Sequence, residues 1–147
     1  MIDDINAAVG FLQNHAAVDS DRLGITGFCM GGRVVWLMAA ASSAFKAAVP
    51  YYGGSIMVPW GSATQSPFEL TDGINCPMMF HFGEEDGNPS PEDKVKLDVE
   101  LTRLDKPHSS SPTPARDTPS WTIPESDTIR RRPRPPGPAP WSFLPAT

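Results

Sequence analysis

Asp19-Ser-Asp-Arg-Leu-Gly-Ile-Thr-Gly27-Phe-Cys29-Met-Gly31-Gly-Arg33 is the stretch on which the reading of this chain turns. Residues 22–28 read as a short buried strand, and Arg33 to Ala41 as a small-residue-rich helix of the kind that packs closely on a sheet. Between them stands Gly27-Phe-Cys29-Met-Gly31, a Gly-x-nucleophile-x-Gly turn with cysteine where serine is commoner. Such a turn carries its central side chain to the top of the sheet, and glycines tolerate the tight geometry and close backbone approach. Cys29 then sits at a helix N-terminus, where the helix dipole favours the thiolate, the reactive form. The Met30 N–H supplies one donor of an oxyanion hole. Two other readings compete on this turn alone. One is a buried thiol in an ordinary strand–helix junction with packing glycines. The other is a nucleotide-binding turn, which the absence of Gly-x-Gly-x-x-Gly spacing disfavours.

Outward from the turn, residues 2–15 read as an amphipathic helix, with Ile2, Ile5, Ala8, Val9 and Leu12 at helical spacing. Asp3 and Asp4 occupy its first turn, where the dipole favours acids. Residues 45–52 and 77–83 read as further strands, and 55–75 as an irregular loop. Pro91 to Leu104 reads as a helix with Val95, Leu97, Leu101 and Leu104 on its buried face. Strands separated by helices predict an α/β fold with a parallel sheet covered on both faces. Ligands bind at the carboxyl ends of strands in such sheets. Two turns, 27–32 and 83–87, fall at strand ends.

The chain changes character at Pro107. Of 17 prolines in 147 residues, eleven lie at or after it. Residues 1–106 carry 7 Lys/Arg against 14 Asp/Glu, and residues 107–147 carry 5 against 3. An acidic body argues against nucleic-acid binding, which needs clustered cations. No apolar run approaches the roughly 20 residues of a membrane span. Cys29 and Cys76, without a secretory start, imply free thiols in a reducing, cytoplasmic setting. Cys76 reads as a core thiol, no close ligand group suggests a metal, and the oligomeric state is not legible. Residues 108–147 are expected to be a disordered tail, because so much proline blocks helix and sheet interiors. Arg130-x-x-Pro133-x-x-Pro136 matches a polyproline-ligand spacing, as proline-rich sequence does by chance.

The match is longer than one turn. Residues 19–33, Ala47-Ala-Val-Pro-Tyr-Tyr-Gly-Gly54 and Cys76-Pro-Met-Met-Phe-His-Phe-Gly-Glu-Glu-Asp86 together resemble the dienelactone hydrolase family, up to about Pro107. The resemblance implies a partial α/β-hydrolase fold, with a mostly parallel sheet flanked by helices. It implies an enzyme that opens small lactones or esters through an acyl-cysteine, with no cofactor. By the same resemblance Cys29 matches the nucleophile of a Cys-His-Asp triad, and Asp86 the acid that orients the histidine. Tyr52, ending a strand near the expected pocket, is a candidate to line it.

Two departures stand out. The family's histidine lies in a Gly-His-x-Phe-like segment beyond the last helix, and none of His15, His81 and His108 occupies such a segment. His81 is expected to pack between sheet and helix. Without a base nothing takes up or returns the proton, so the alternative is an inactive, truncated chain with uncovered apolar faces. One codon set for Ser109 to Pro124, shifted by one base with a G restored, reads Glu-Phe-Gln-Pro-Tyr-Pro-Gly-Ala-Gly-His-Ala-Phe-Met-Asp-Tyr-Pro, which suggests a frameshift after His108. The family's earlier strands, with its second oxyanion donor and an arginine for the substrate carboxylate, have no counterpart here. Arg33 does not replace that arginine by position.

Overall fold

A computed structural model describes residues 1–113. The expectation of disorder from residue 114 onward and the Arg130 motif lie outside the described residues. The elements run α1 (Ile2–Gln13), β1 (Gly24–Phe28), α2 (Met30–Ala41), β2 (Ala47–Tyr51), β3 (Met78–Gly83), α3 (Pro91–Arg103) and β4 (His108–Thr113), with short 3₁₀ turns at Ser20–Arg22 and Phe68–Gly73. The four strands pair in parallel in the order β1-β2-β3-β4. Each strand and helix expected from periodicity is present within two or three residues of its reading, and the loop at 55–75 contains the second 3₁₀ turn.

The strand order settles which face two of the helices take. Right-handed crossovers between strands added in one direction return on the same side each time. Helices α2 and α3 therefore share a face. There Met78, Phe80 and Phe82 of β3 are buried with Val35, Trp36, Leu97 and Leu101. The rings of Trp36 and Phe80 meet edge to face at 5.9 Å. The Trp36 Nε1–H donates to Thr71 Oγ1 at 3.2 Å, and that hydroxyl donates to the Phe68 carbonyl at 2.6 Å, so this polar pair is satisfied inside the core.

Side chains on the other face are more exposed. Phe28 is 56% exposed and Met79 is 47% exposed. His81 lies on this face, not between sheet and helix as expected, because its strand neighbours Phe80 and Phe82 take the covered side. Tyr51 stacks between Phe28 at 4.7 Å and His81 at 4.5 Å, one ring from each of three adjacent strands.

Two further readings are corrected. Val95, expected on the buried face of α3, is 62% exposed. At 100° per residue it lies about 200° from Leu97, whereas Leu101 and Leu104 fall within about 40° of it. The second correction concerns β4: His108–Thr113 pair with β3 from Met78↔His108 to Gly83↔Thr113, so the expected tail does not begin at His108. Backbone pairing decides this strand, in which every residue but Pro112 offers both an N–H and a C=O to the parallel ladder. Helix α3 opens with a capping box in which Ser90 and Asp93 bond each other's backbone N–H. Among the described residues no helix is long and apolar enough to cross a membrane.

Candidate active site

Cys29 immediately follows β1 and caps α2, with φ 56° and ψ −122°, a region L-residues rarely adopt. Its N–H donates to the Tyr51 carbonyl at 3.0 Å, which pins the turn to the end of β2. Its carbonyl accepts from the N–H groups of Gly32 and Arg33 at 2.9 and 3.3 Å, which starts the helix. The thiol is left exposed. Met30 is the first residue of α2, so its N–H has no acceptor inside the helix.

The glycines divide unequally. A Cβ on Gly27 would stand 2.5 Å from the Gly31 carbonyl oxygen, and one on Gly32 would collide with the Tyr51 carbonyl oxygen and come within 3.0 Å of Gly53. A Cβ on Gly31 would meet nothing. Close approach therefore demands glycine at 27 and 32, while Gly31, part of the five-residue signature, is sterically free.

Asp86 closes the turn after β3. Its carboxylate Oδ2 accepts the Gly83 N–H at 2.7 Å, and its own N–H donates to the Gly83 carbonyl at 3.2 Å. Lys94 Nζ also donates to that carbonyl. Cys29 and Asp86 thus leave the same end of the sheet from β1 and β3, with β2 between them. Two strand spacings separate those lines by about 10 Å, too far for a direct hydrogen bond.

Cys29 opens onto a cavity of about 210 Å³ that Met30, Arg33, Gly54, Ser55, Trp60 and Asn88 also line. Tyr52 is not among the lining residues. Backbone φ of 36° turns it out of β2, and its exposed ring stands 6.2 Å from Phe28. Asn88 joins the loops after β2 and β3: its Oδ1 accepts the Ser55 N–H at 2.7 Å, and its Nδ2 donates to Ser55 Oγ at 3.2 Å.

Arg33, Trp60 and Asn88 are cavity residues that sequence reasoning missed. Arg33 is only 9% exposed. Its Nη2 donates to the Val58 carbonyl at 2.6 Å, and its guanidinium lies 4.8 Å from the centre of the Trp60 ring. Burial pushes its pKa below the usual arginine value. Arg33 and Trp60 also line a larger groove of about 650 Å³ beside the start of α1. The one signal in the sequence was a charged residue one turn into a helix otherwise made of small and apolar side chains.

All three histidines are described, and none lines this cavity. His15 packs near Phe11 at the end of α1. His81 stacks on Tyr51 on the more exposed face of the sheet. At the start of β4, His108 is held by Asp98 Oδ1 at 3.2 Å from Nε2 and by the Lys106 carbonyl at 2.7 Å from Nδ1. The second thiol, Cys76, is buried at 5% exposure, and burial pushes its pKa up.

The profile of the dienelactone hydrolase family matches residues 1–109. A Bradyrhizobium protein provisionally named a 2-oxo-3-(5-oxofuran-2-ylidene)propanoate lactonase is 36% identical over 115 residues, which is 76% of this chain and 43% of that protein. A Methylorubrum extorquens protein bearing the provisional name carboxymethylenebutenolidase is 36% identical over 58% of this chain and 30% of its own length. Among solved structures, a Klebsiella pneumoniae protein provisionally named a dienelactone hydrolase superposes with a TM-score of 0.67 at 30% identity, over 78% of this chain and 47% of that one. A puromycin-hydrolysing peptidase from Mycobacterium tuberculosis, 22% identical, superposes with a TM-score of 0.68 over 78% of this chain and 21% of that one, a likeness of fold. The chain spans less than half the length of the curated relatives it matches.

Proposed function

Because the chain belongs to the dienelactone hydrolase family, we propose that Cys29 is the nucleophile of a small-molecule ester or lactone hydrolase. The observation that carries this reading is the exposed thiol held at φ 56° at a helix N-terminus, opening onto a cavity. Strain of this kind persists where surrounding structure over-determines it, and it clusters at functional sites. In the proposed reaction the Cys29 sulfur attacks the carbonyl carbon, and the Met30 N–H stabilises the oxygen that becomes negative. Collapse of that intermediate expels the alkoxide and leaves an acyl-cysteine, which water then opens. Asp86 is the acid that would orient an imidazole lying between it and Cys29; a gap of about 10 Å is one that such a ring spans.

A second reading rests on the three histidines. Each is occupied elsewhere, so among the described residues no histidine lies between Cys29 and Asp86. On this reading the chain accepts an acyl group and stalls, because deacylation needs a proton taken from water. The bound partner is a small molecule in both readings.

Stopped-flow release of p-nitrophenol from p-nitrophenyl acetate tests both. The nucleophile reading predicts a burst of about one equivalent and an acetyl group on Cys29 by peptide mass spectrometry. Cys29→Ala abolishes the burst. A burst of equal size in that variant would overturn the nucleophile assignment, and steady turnover after the burst would overturn the stalled reading.

A further inference from the structure

The ladder between β2 and β3 runs out where the cavity begins. The bond from the Tyr52 N–H to the His81 carbonyl at 2.7 Å closes it. Beyond that bond one strand leads into the loop that walls the Cys29 cavity through Gly54 and Ser55. The other leads into the turn that carries Asp86. The side chain of Asn88 spans the space between them. Its Oδ1 accepts the Ser55 N–H at 2.7 Å, and its Nδ2 donates to the Ser55 hydroxyl at 3.2 Å. Both ends of one amide therefore hold one residue, and that residue has a backbone φ of 56°. A non-glycine residue is uncommon there and keeps the conformation where its neighbours impose it. Gly54 makes room for the amide: a Cβ on it would stand 3.0 Å from Asn88 Nδ2 and 3.1 Å from Asn88 Cγ.

This hold reaches Cys29 through close backbone contacts. Gly53 lies against the first turn of α2, where a Cβ on it would come 2.7 Å from the Arg33 nitrogen and from the Gly32 carbonyl carbon. The N–H groups of Gly32 and Arg33 in turn donate to the Cys29 carbonyl at 2.9 and 3.3 Å. In the other direction, Asn88 stands two residues beyond Asp86, whose carboxylate accepts the Gly83 N–H. We infer that Asn88 is a positioning residue of the site. Through Ser55 it registers the turn that carries Cys29 against the turn that carries Asp86, and so sets the aim of the Cys29 sulfur relative to the Met30 N–H. The inference rests on the reading of Cys29 as nucleophile for its chemical consequence, and on the Asn88–Ser55 pair for its mechanics.

Two reactions of the full chain separate alignment from access. In acyl transfer from p-nitrophenyl acetate the sulfur bonds to the carbonyl carbon and p-nitrophenolate leaves, which needs the sulfur aligned with the oxyanion donor. In alkylation by iodoacetamide the sulfur bonds to carbon as iodide leaves, which needs an accessible thiolate. In Asn88→Ala the rate constant of the burst should fall about fivefold, the scale of one amide hydrogen bond, while alkylation of Cys29 keeps its rate. Gly54→Ala displaces the amide by its Cβ and should show the same split, and joining the two substitutions should add little to either alone. Asn88 is exposed, so its replacement should leave the fold standing, and labelling of the buried Cys76 reports on that. Should Cys76 label as fast as in unfolded chain, Gly54→Ala carries the test by the same criteria. An unchanged burst rate overturns the proposal, as does a change of both reactions by the same factor. The amide ¹H–¹⁵N and ¹³Cα resonances of Cys29 give a readout that needs no acylation. Asn88→Ala should displace them from a different strand's loop, and resonances that stay in place overturn the proposal. If they move while the unsubstituted chain gives no burst, the nucleophile reading fails and the positioning of the turn stands.

Discussion

Replacing Cys29 with glycine should stabilise the protein while removing its reactive group. The backbone there has φ 56° and ψ −122°, a region in which a residue bearing a Cβ costs about 1–3 kcal/mol and glycine costs little. Glycine returns about 0.5–1 kcal/mol through the greater freedom of the unfolded chain. The thiol is exposed, so its removal sacrifices little packing. The balance favours Cys29→Gly by about 0.5–2 kcal/mol. Cys29→Ala is the control, since it removes the sulfur but keeps the Cβ and therefore the strain. Urea unfolding followed by circular dichroism reads the difference as a midpoint shift at constant slope. If the glycine variant unfolds at the same urea concentration as the alanine variant, or at a lower one, the turn stores no strain and the argument from φ fails.

Other expectations follow from the same geometry. Gly27→Ala and Gly32→Ala force a Cβ into backbone atoms and should cost at least about 2 kcal/mol each in denaturant unfolding. Gly31→Ala meets open space inside a helix and should gain about 0.5–1 kcal/mol; destabilisation there would contradict the assignment of the steric demand to Gly32. With iodoacetamide near neutral pH, Cys29 should label well ahead of Cys76, which is buried and has a raised pKa; equal rates in folded protein would argue against an accessible nucleophile. Glu69 accepts the backbone N–H and hydroxyl of Ser66 at 2.7 and 2.8 Å, and its pKa is depressed chiefly by that backbone bond. Its contribution to stability is therefore present above the unfolded-state carboxylate pKa and lost as pH falls through the lower folded value. Glu69→Gln should flatten that part of the acid-unfolding profile, and an unchanged profile would remove the bond from the account.

The order of elements was legible because hydrophobic period and turn residues agree in the first hundred residues. Leu97 and Leu101 announce α3 at a spacing of four, and Gly27, Cys29 and Gly32 announce the turn. That α2 and α3 share a face was not legible, because periodicity gives strands and helices but not strand order, and strand order decides which face the helices take. β4 was hidden for a different reason: His108 to Thr113 is mostly serine with a proline, a poor strand by side chain, and it pairs through its backbone along β3. Cys29 was singled out by its turn motif, and Asp86 only through the family resemblance. Arg33 could not be placed in the cavity, because its reach depends on where the Val58–Trp60 loop folds back over α2. The orientation of Tyr52 was not legible, because a strand end says nothing of the positive φ at that residue.

The sheet explains how Cys29 and Asp86 can belong to one site without touching. Each follows a strand on the same sheet end, and β2 separates those strands, holding the β1 turn by the bond from Cys29 N–H to the Tyr51 carbonyl. Strand β2 is therefore the spacer that sets the gap of about 10 Å. Nothing in β2 can fill it chemically: Tyr51 is turned into the Phe28–His81 stack, and Tyr52 is swung out by its backbone. A proton carrier must come from elsewhere, and the histidine nearest in sequence to the end of α3, His108, is anchored by two bonds at the opposite, amino end of β4, beside Met78. Residues further along β4 move toward the site, with Thr113 level with Gly83.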